Sequence, residues 1–193
     1  ITTPFASGFD TSPYTDSALP DGSASHPWKV NQPQDFDLIG SDGVHLANQS
    51  YLLTTDLDFG DQDHRCRVDF GGNFDGGYHT ISRIRIDTPA NSYVCLFRSL
   101  NVGGALRRLA IQNSYFRGHS WVAPIVGSMQ KESLLQECYS RGNTVIAVSA
   151  QAAGGIVSSA SYQSPSAVVR NSFSRDNIIS CAHQTVGGIS GYH

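Results

Sequence analysis

The heptad AGGIVSS at residues 153–159 has three near-copies in the same chain: YVCLFRS at 93–99, VAPIVGS at 122–128 and VGGISGY at 186–192. The four starts lie 29, 31 and 33 residues apart. A period near 30 built from strand-sized units, with glycine-marked corners and no helical apolar spacing, is what a solenoid of β-coils requires. One coil cannot bury its own apolar face, so each must lie on the next, and Leu96, Ile125, Ile156 and Ile189 are expected to stack as one apolar ladder. Each of the first three heptads is followed, after a loop, by a second strand: LAIQNSYF from Leu109, LQECYSRGN from Leu135 and VRNSFSRDN from Val169. A β-sandwich would accommodate the short strands and many turns equally well, but it has no need of the repeat.

Upstream of the repeats, NFDGGYHTISRIRI (73–86) is a turn feeding a strand. Asp75-Gly76-Gly77 is turn chemistry, and Ile81, Ile84 and Ile86 nearly alternate with polar residues, with one slip between the first two. SYLLTTDLDF (50–59) reads as a strand, and PWKVNQPQDFDLIG (27–40) as a short strand at Trp28–Val30 followed by a capped helical turn around Gln34–Ile39. Residues 1–27 are punctuated by Pro, Gly, Ser and Asp without periodicity and read as an extended arm. The expected organisation is therefore an arm (1–27), a capping segment with the first coil (28–90) and β-helix repeats (91–193), the last coil incomplete.

The turn-strand at 73–86, the CLF of 95–97, and the GGIV, NSFSRDN and GGISG units resemble the GLUG-repeat region of bacterial cell-surface and secreted proteins, over about residues 27–193. The resemblance implies a right-handed parallel β-helix outside a bacterial cell, in architectures that include adhesins and regions flanking secreted proteases. It transfers no catalytic residues. The chain departs from the pattern at Val94-Cys95 and Ala123-Pro124, where glycines are expected. The fold class is thus all-β: a right-handed parallel β-helix with an irregular N-terminal arm and a short helical cap segment.

Composition agrees, with nineteen glycines and one methionine in 193 residues and few helix formers. No run of eighteen apolar residues occurs, so no membrane span is expected. The formal net charge of −3 disfavours nucleic-acid binding. It also hides an asymmetry: thirteen Asp against five Lys and Arg in residues 1–90 give −8, and three acids against eight bases in 91–193 give +5. Cys66, Cys95, Cys138 and Cys181 lack the paired spacing of a zinc site. They suit either two disulfides, with Cys66–Cys95 the least strained pairing by proximity, or four small buried hydrophobes.

Candidate chemistry is sparse. DLDFGDQDH sets Asp56, Asp58, Asp61 and Asp63 within nine residues, and such a density of carboxylate oxygens suits Ca²⁺, although the spacing is not that of a twelve-residue calcium loop. The competing reading is a solvated turn. His119 and Trp121 could form a sugar-stacking platform on a coil loop, against a Trp that plugs the core. Glycoside hydrolysis normally uses two carboxylates facing one bond. The repeats hold only Glu132, Glu137 and Asp176, at different coil positions, so no catalytic residue is assigned. No cofactor other than calcium is expected. The expected function is a secreted or cell-surface β-helix with a structural or adhesive role, self-associating head to tail into filaments, with a glycan or cell-surface molecule as a further partner. The alternatives are a polysaccharide-active enzyme and a non-catalytic carbohydrate-binding module.

Overall fold

The computed structural model describes residues 19–64, 68–149, 151–160, 166–182 and 185–192. A cap comes first, made of strand β1 (Trp28–Val30) and one helical turn, α1 (Asp35–Leu38). Five rungs of a parallel β-solenoid follow. The first is β2 (Ser50–Leu53), β3 (Leu57–Asp58) and β4 (Val68–Phe70). The second is β5 (Asn73–Asp75), β6 (Thr80–Ser82), β7 (Arg85–Thr88) and β8 (Phe97–Leu100), and the third is β9 (Ala105–Arg107), β10 (Ala110–Gln112), β11 (Tyr115–Gly118) and β12 (Val126–Met129). The fourth runs β13 (Leu134–Gln136), β14 (Tyr139–Arg141), β15 (Thr144–Ala147), β16 (Ala152–Gly154) and β17 (Val157–Ala160). The fifth runs β18 (Val168–Arg170), β19 (Phe173–Arg175), β20 (Ile178–Cys181), β21 (Thr185–Gly187) and β22 (Ser190–Tyr192).

Each strand pairs in parallel with its counterpart on the next rung, giving sheets β1-β2-β5-β9-β13-β18, β3-β6-β10-β14-β19, β7-β11-β15-β20 and β4-β8-β12-β17-β22, with β16 and β21 as a short fifth. The repeat, and not a sandwich, is therefore the architecture. Of the arm expected over 1–27, residues up to 18 lie outside the described residues, and 19–27 form no strand or helix.

The slip in the isoleucine pattern of 73–86 is a corner. Arg83, with φ 53°, separates β6 from β7, and Ile81, Ile84 and Ile86 all point into the core from before, within and beyond the bend. Asn113, Gly142 and Asp176 turn the same corner on later rungs, and Arg108, Glu137 and Asn171 turn the preceding one, all with φ between 50° and 65°. A left-handed backbone is unfavourable for side-chain-bearing residues, so its recurrence marks a geometric requirement. The corners keep the inter-rung ladder unbroken: the amides of Asn113, Arg108 and Glu137 donate to Arg141, Gln136 and Arg170 carbonyls at 3.1, 3.0 and 3.1 Å.

These corners correct the sequence alignment. Leu135 and Val169 are in register as expected, but their partner on the rung before is Leu106, not Leu109. Leu106 and Leu109 both point inward and are fully buried, which is why a one-dimensional alignment slid by three residues. The glycine exceptions are also explained. Added Cβ atoms at Gly154 and Gly155 would lie 1.8 Å from the Val157 carbonyl oxygen and 2.0 Å from that of Gly188. Rungs two and three instead touch their neighbours there through single bridges at Val94 and Val122, and leave room for side chains.

Packing changes along the axis. The N-terminal rungs are aromatic, with Tyr51, Phe70, Phe74 and Phe97 buried. Phe36 of α1 plugs that end, its ring centroid 6.1, 5.4 and 6.2 Å from those of Phe59, Phe74 and Phe97. Buried Asp35 holds the plug in place by accepting the amides of Asn31 and Gln32 at 2.8 and 3.1 Å, although burial pushes its carboxyl above the usual range. Toward the C-terminal rungs a polar ladder enters the core. The Ile84 amide donates to Ser114 Oγ at 3.1 Å, the Ser114 amide to Asn143 Oδ1 at 2.9 Å, and the Asn143 amide to Asn177 Oδ1 at 2.7 Å. Asn143 Nδ2 also donates to the Ile111 carbonyl at 3.0 Å, so this buried side chain is satisfied on both ends.

Cys66 lies outside the described residues, so the expected Cys66–Cys95 pairing falls there too. Cys95 and Cys138 are buried, and burial pushes the Cys138 thiol up to about 12.

The expected apolar ladder forms: Leu96, Ile125 and Ile156 are buried, and Ile189 packs half-buried at the last rung. The Ile156 amide donates to the Ile189 carbonyl at 2.9 Å and the Ile125 amide to Ile156 at 3.3 Å. Ile156→Asp would place an unpaired charge between two rungs and is expected to unfold the solenoid, whereas Ile156→Val should cost about 1 kcal/mol. Thermal melts followed by circular dichroism check this; an aspartate variant melting with the wild type would refute the ladder.

Candidate functional site

The outer surface is laced by ion pairs between rungs. Arg83 reaches back to Asp58, Arg85 to Asp63, Arg98 to Asp69, Arg108 to Asp75 and Arg117 to Asp87, in each case from one rung to an acid on the rung before. Three of these pairs, Arg98–Asp69, Arg108–Asp75 and Arg117–Asp87, join the base-rich stretch 91–193 to the acid-rich stretch 1–90. Acid-rich and base-rich stretches become facing partners because the chain returns to the same side about thirty residues later.

This geometry places the four candidate calcium ligands. Asp58 accepts Arg83 Nε and Nη2 at 2.7 and 2.5 Å and the Gly60 amide at 2.9 Å, and the guanidinium holds its carboxyl below the usual range. Asp56 accepts the Thr80 amide at 2.8 Å and sits 3.2 Å from His79 Nδ1. Asp61 lies 3.8 Å from Arg83 Nη1, and Asp63 lies 3.6 Å from Arg85 Nε. Among the described residues, no group of three or more His, Cys, Asp or Glu side chains is arranged to hold a metal ion. Calcium binding at Asp56, Asp58, Asp61 and Asp63 would require Asp58 to give up Arg83 and Asp56 to give up the Thr80 amide, whereas Asp61 and Asp63 are exposed beside arginines. The melting temperature is therefore expected to be the same in millimolar calcium and in chelator, since a ligand that binds only the folded state would raise it; a rise would assign the segment to calcium.

The two residues of the expected sugar platform flank a buried serine. His119 is exposed, and its amide donates to the Asn91 carbonyl at 2.7 Å. Ser120 between them is buried, with its Oγ 2.7 Å from Ser92 Oγ. Trp121, at φ 58°, joins a different set of rings. It lies parallel to Tyr93 of the previous rung, centroids 6.1 Å apart with 11° between planes, and meets Tyr192 edge-on at 5.8 Å.

Tyr93 in turn walls a surface groove of about 200 Å³, lined also by Asp69, Arg98, Ser99, Ser128 and Gln130. Ser128 Oγ donates to Ser99 Oγ at 3.3 Å, and Gln130 Nε2 donates to Ser99 Oγ at 3.3 Å and Asn101 Oδ1 at 3.1 Å. Arg98 forms a two-pronged pair with Asp69 along one side. The sequence carried a signal for this set that went unread. Ser99, Ser128, Ser159 and Tyr192 are the last residues of the four heptads, and the strand register places them on one line along the axis.

A second polar network sits at the corner between the first two sheets. The Tyr78 hydroxyl donates to Glu137 Oε2 at 2.8 Å, Gln136 Nε2 donates to Glu137 Oε1 at 2.8 Å, and Arg108 lies over the Tyr78 ring while pairing with Asp75. Hydrogen bonds from Gln136 and Tyr78 hold the Glu137 carboxyl below its usual range, and the bond to Glu137 holds the Tyr78 hydroxyl above its own. Glu132, Glu137 and Asp176 lie at three different bends, as expected.

No family model matches the chain. The chain is similar to halomucin of Haloquadratum walsbyi (strain DSM 16790 / HBSQ001), 27% identical over 138 residues, covering 61% of this chain and 1% of that protein. It thus spans about a hundredth of the length of this curated relative. Among solved structures, a Bacteroides ovatus protein described as a candidate immunoglobulin A1 protease superposes with a TM-score of 0.42 at 16% identity, covering 90% of this chain and 73% of that one. Among the described residues, no helix is long and apolar enough to cross a membrane.

Proposed function

We propose that this chain is part of a secreted or cell-surface β-solenoid with a structural and adhesive role. The observation that carries the reading is the in-register stack of rungs, which brings counterpart residues of successive coils, such as Ser99, Ser128, Ser159 and Tyr192, into one line along the axis, with Ser99 and Ser159 buried in it and Tyr192 exposed. A solenoid that repeats its outer face is suited to extended, multivalent contact. The similarity to a small part of a halomucin supports a setting in which such rungs form a short stretch of a very long chain. Carbohydrate binding without turnover is the alternative favoured by a specific observation, the Tyr93–Trp121 ring pair beside a polar groove.

Incubation with a panel of neutral and acidic polysaccharides, followed for new reducing ends and unsaturated uronates, is expected to show no turnover, while binding to intact cells or polymer persists. Release of either product class would replace the adhesive reading with an enzymatic one. Head-to-tail self-association is the finer form of the proposal. It would seat the exposed Val168, Phe173, Ile178 and Val186 of the last rung against the cap around α1 of another copy. Because the facing charges already pair within one molecule, light scattering at low and high salt is expected to show an association that salt does not weaken; a monomer at all concentrations would remove the filament.

A further inference from the structure

The groove beside Tyr93 has the chemistry of a saccharide subsite, and we infer that it binds an uncharged sugar ring. This deepens the adhesive reading and rests on it for its setting. Three observations support the assignment. First, the wall is aromatic and fixed. Tyr93 and Trp121 take left-handed backbone conformations at φ 60° and 58°, which swing both rings onto the outer surface, where they brace each other 6.1 Å apart. An aromatic ring held in this way offers apolar surface to the C–H face of a pyranose at little cost in side-chain entropy.

Second, the floor offers neutral groups that both donate and accept. Ser99 and Ser128 hydroxyls and the Gln130 amide are linked to one another, yet each keeps capacity: the Ser99 hydroxyl hydrogen, the lone pairs of Ser128 and the Gln130 Oε1 are not used in the bonds among them. Sugar hydroxyls need partners of this mixed kind. Third, the charges bordering the groove cancel, since the Arg98 guanidinium grips the Asp69 carboxylate with two bonds. A uronate or sulfated sugar would have to compete with Asp69 for Arg98 and would meet the carboxylate as a like charge. An uncharged ring meets neither obstacle.

The test titrates a neutral oligosaccharide panel and a matched uronate panel into the wild type, Tyr93→Ala and Gln130→Ala by calorimetry, with circular dichroism confirming the fold. Gln130 is exposed, so its variant keeps the domain folded if the Tyr93 variant does not. The expected result is saturable binding of a neutral sugar, weakened about tenfold by Tyr93→Ala and about threefold by Gln130→Ala. Preference for the uronates, or neutral-sugar binding that neither substitution changes, would overturn the assignment. A wild type that adheres to cells but binds no sugar would overturn this inference and leave the adhesive reading standing; loss of both would remove that reading as well.

Discussion

The hydrogen bonds that run between rungs are the interaction on which this molecule depends. Strand, corner and bridge amides alike donate to the neighbouring rung, so no rung satisfies its own backbone. This requirement explains why bulky residues such as Arg83, Arg108 and Glu137 hold left-handed backbone conformations. The local cost is offset because the bend keeps the amide of the corner residue in line with a carbonyl on the next rung, and an unpaired buried amide would cost more. The same constraint sets the interior: each side chain stacks on its counterpart from the neighbouring rungs, so ladders of like residues follow from the backbone spacing.

A stacked backbone also determines what the surface can be. Residues about thirty apart in sequence become lateral neighbours, and among the described residues Arg83, Arg85, Arg98, Arg108 and Arg117 each meet a carboxylate on the rung before. Each pair is exposed and contributes little stability on its own. Their value is in register, since a rung shifted by one residue would set the arginines of Arg83–Asp58, Arg98–Asp69, Arg108–Asp75 and Arg117–Asp87 opposite uncharged neighbours of those aspartates. In the aspartate-rich segment, Asp58 and Asp61 face Arg83 and Asp63 faces Arg85 on the second rung.

The interior is graded, from rings around Phe36, Phe74 and Phe97 to Ser140, Asn143, Ala152 and Ala153 on the fourth rung. At the N-terminal end the aromatic side chains pack on Phe36 of α1 and on one another. Further on, small and amide side chains enter the core, and Asn143 is satisfied there by hydrogen bonds to the Ser114 amide and the Ile111 carbonyl.

The sequence by itself determined the solenoid, the position of the helical cap and the Leu96–Ile125–Ile156–Ile189 ladder, because each is written as a local pattern or as a period. It also held the line of Ser99, Ser128, Ser159 and Tyr192, at one fixed place in each heptad. It did not determine the register of the second strand, where Leu106 and Leu109 offered equal apolar anchors three residues apart and only the corner at Arg108 distinguishes them. Nor did it pair Trp121 with Tyr93 of the previous rung, or Asp58 with Arg83. Those choices depend on which side of the coil a residue faces and what lies one rung away, and that is fixed only when the backbone hydrogen bonds of successive rungs lock the stack.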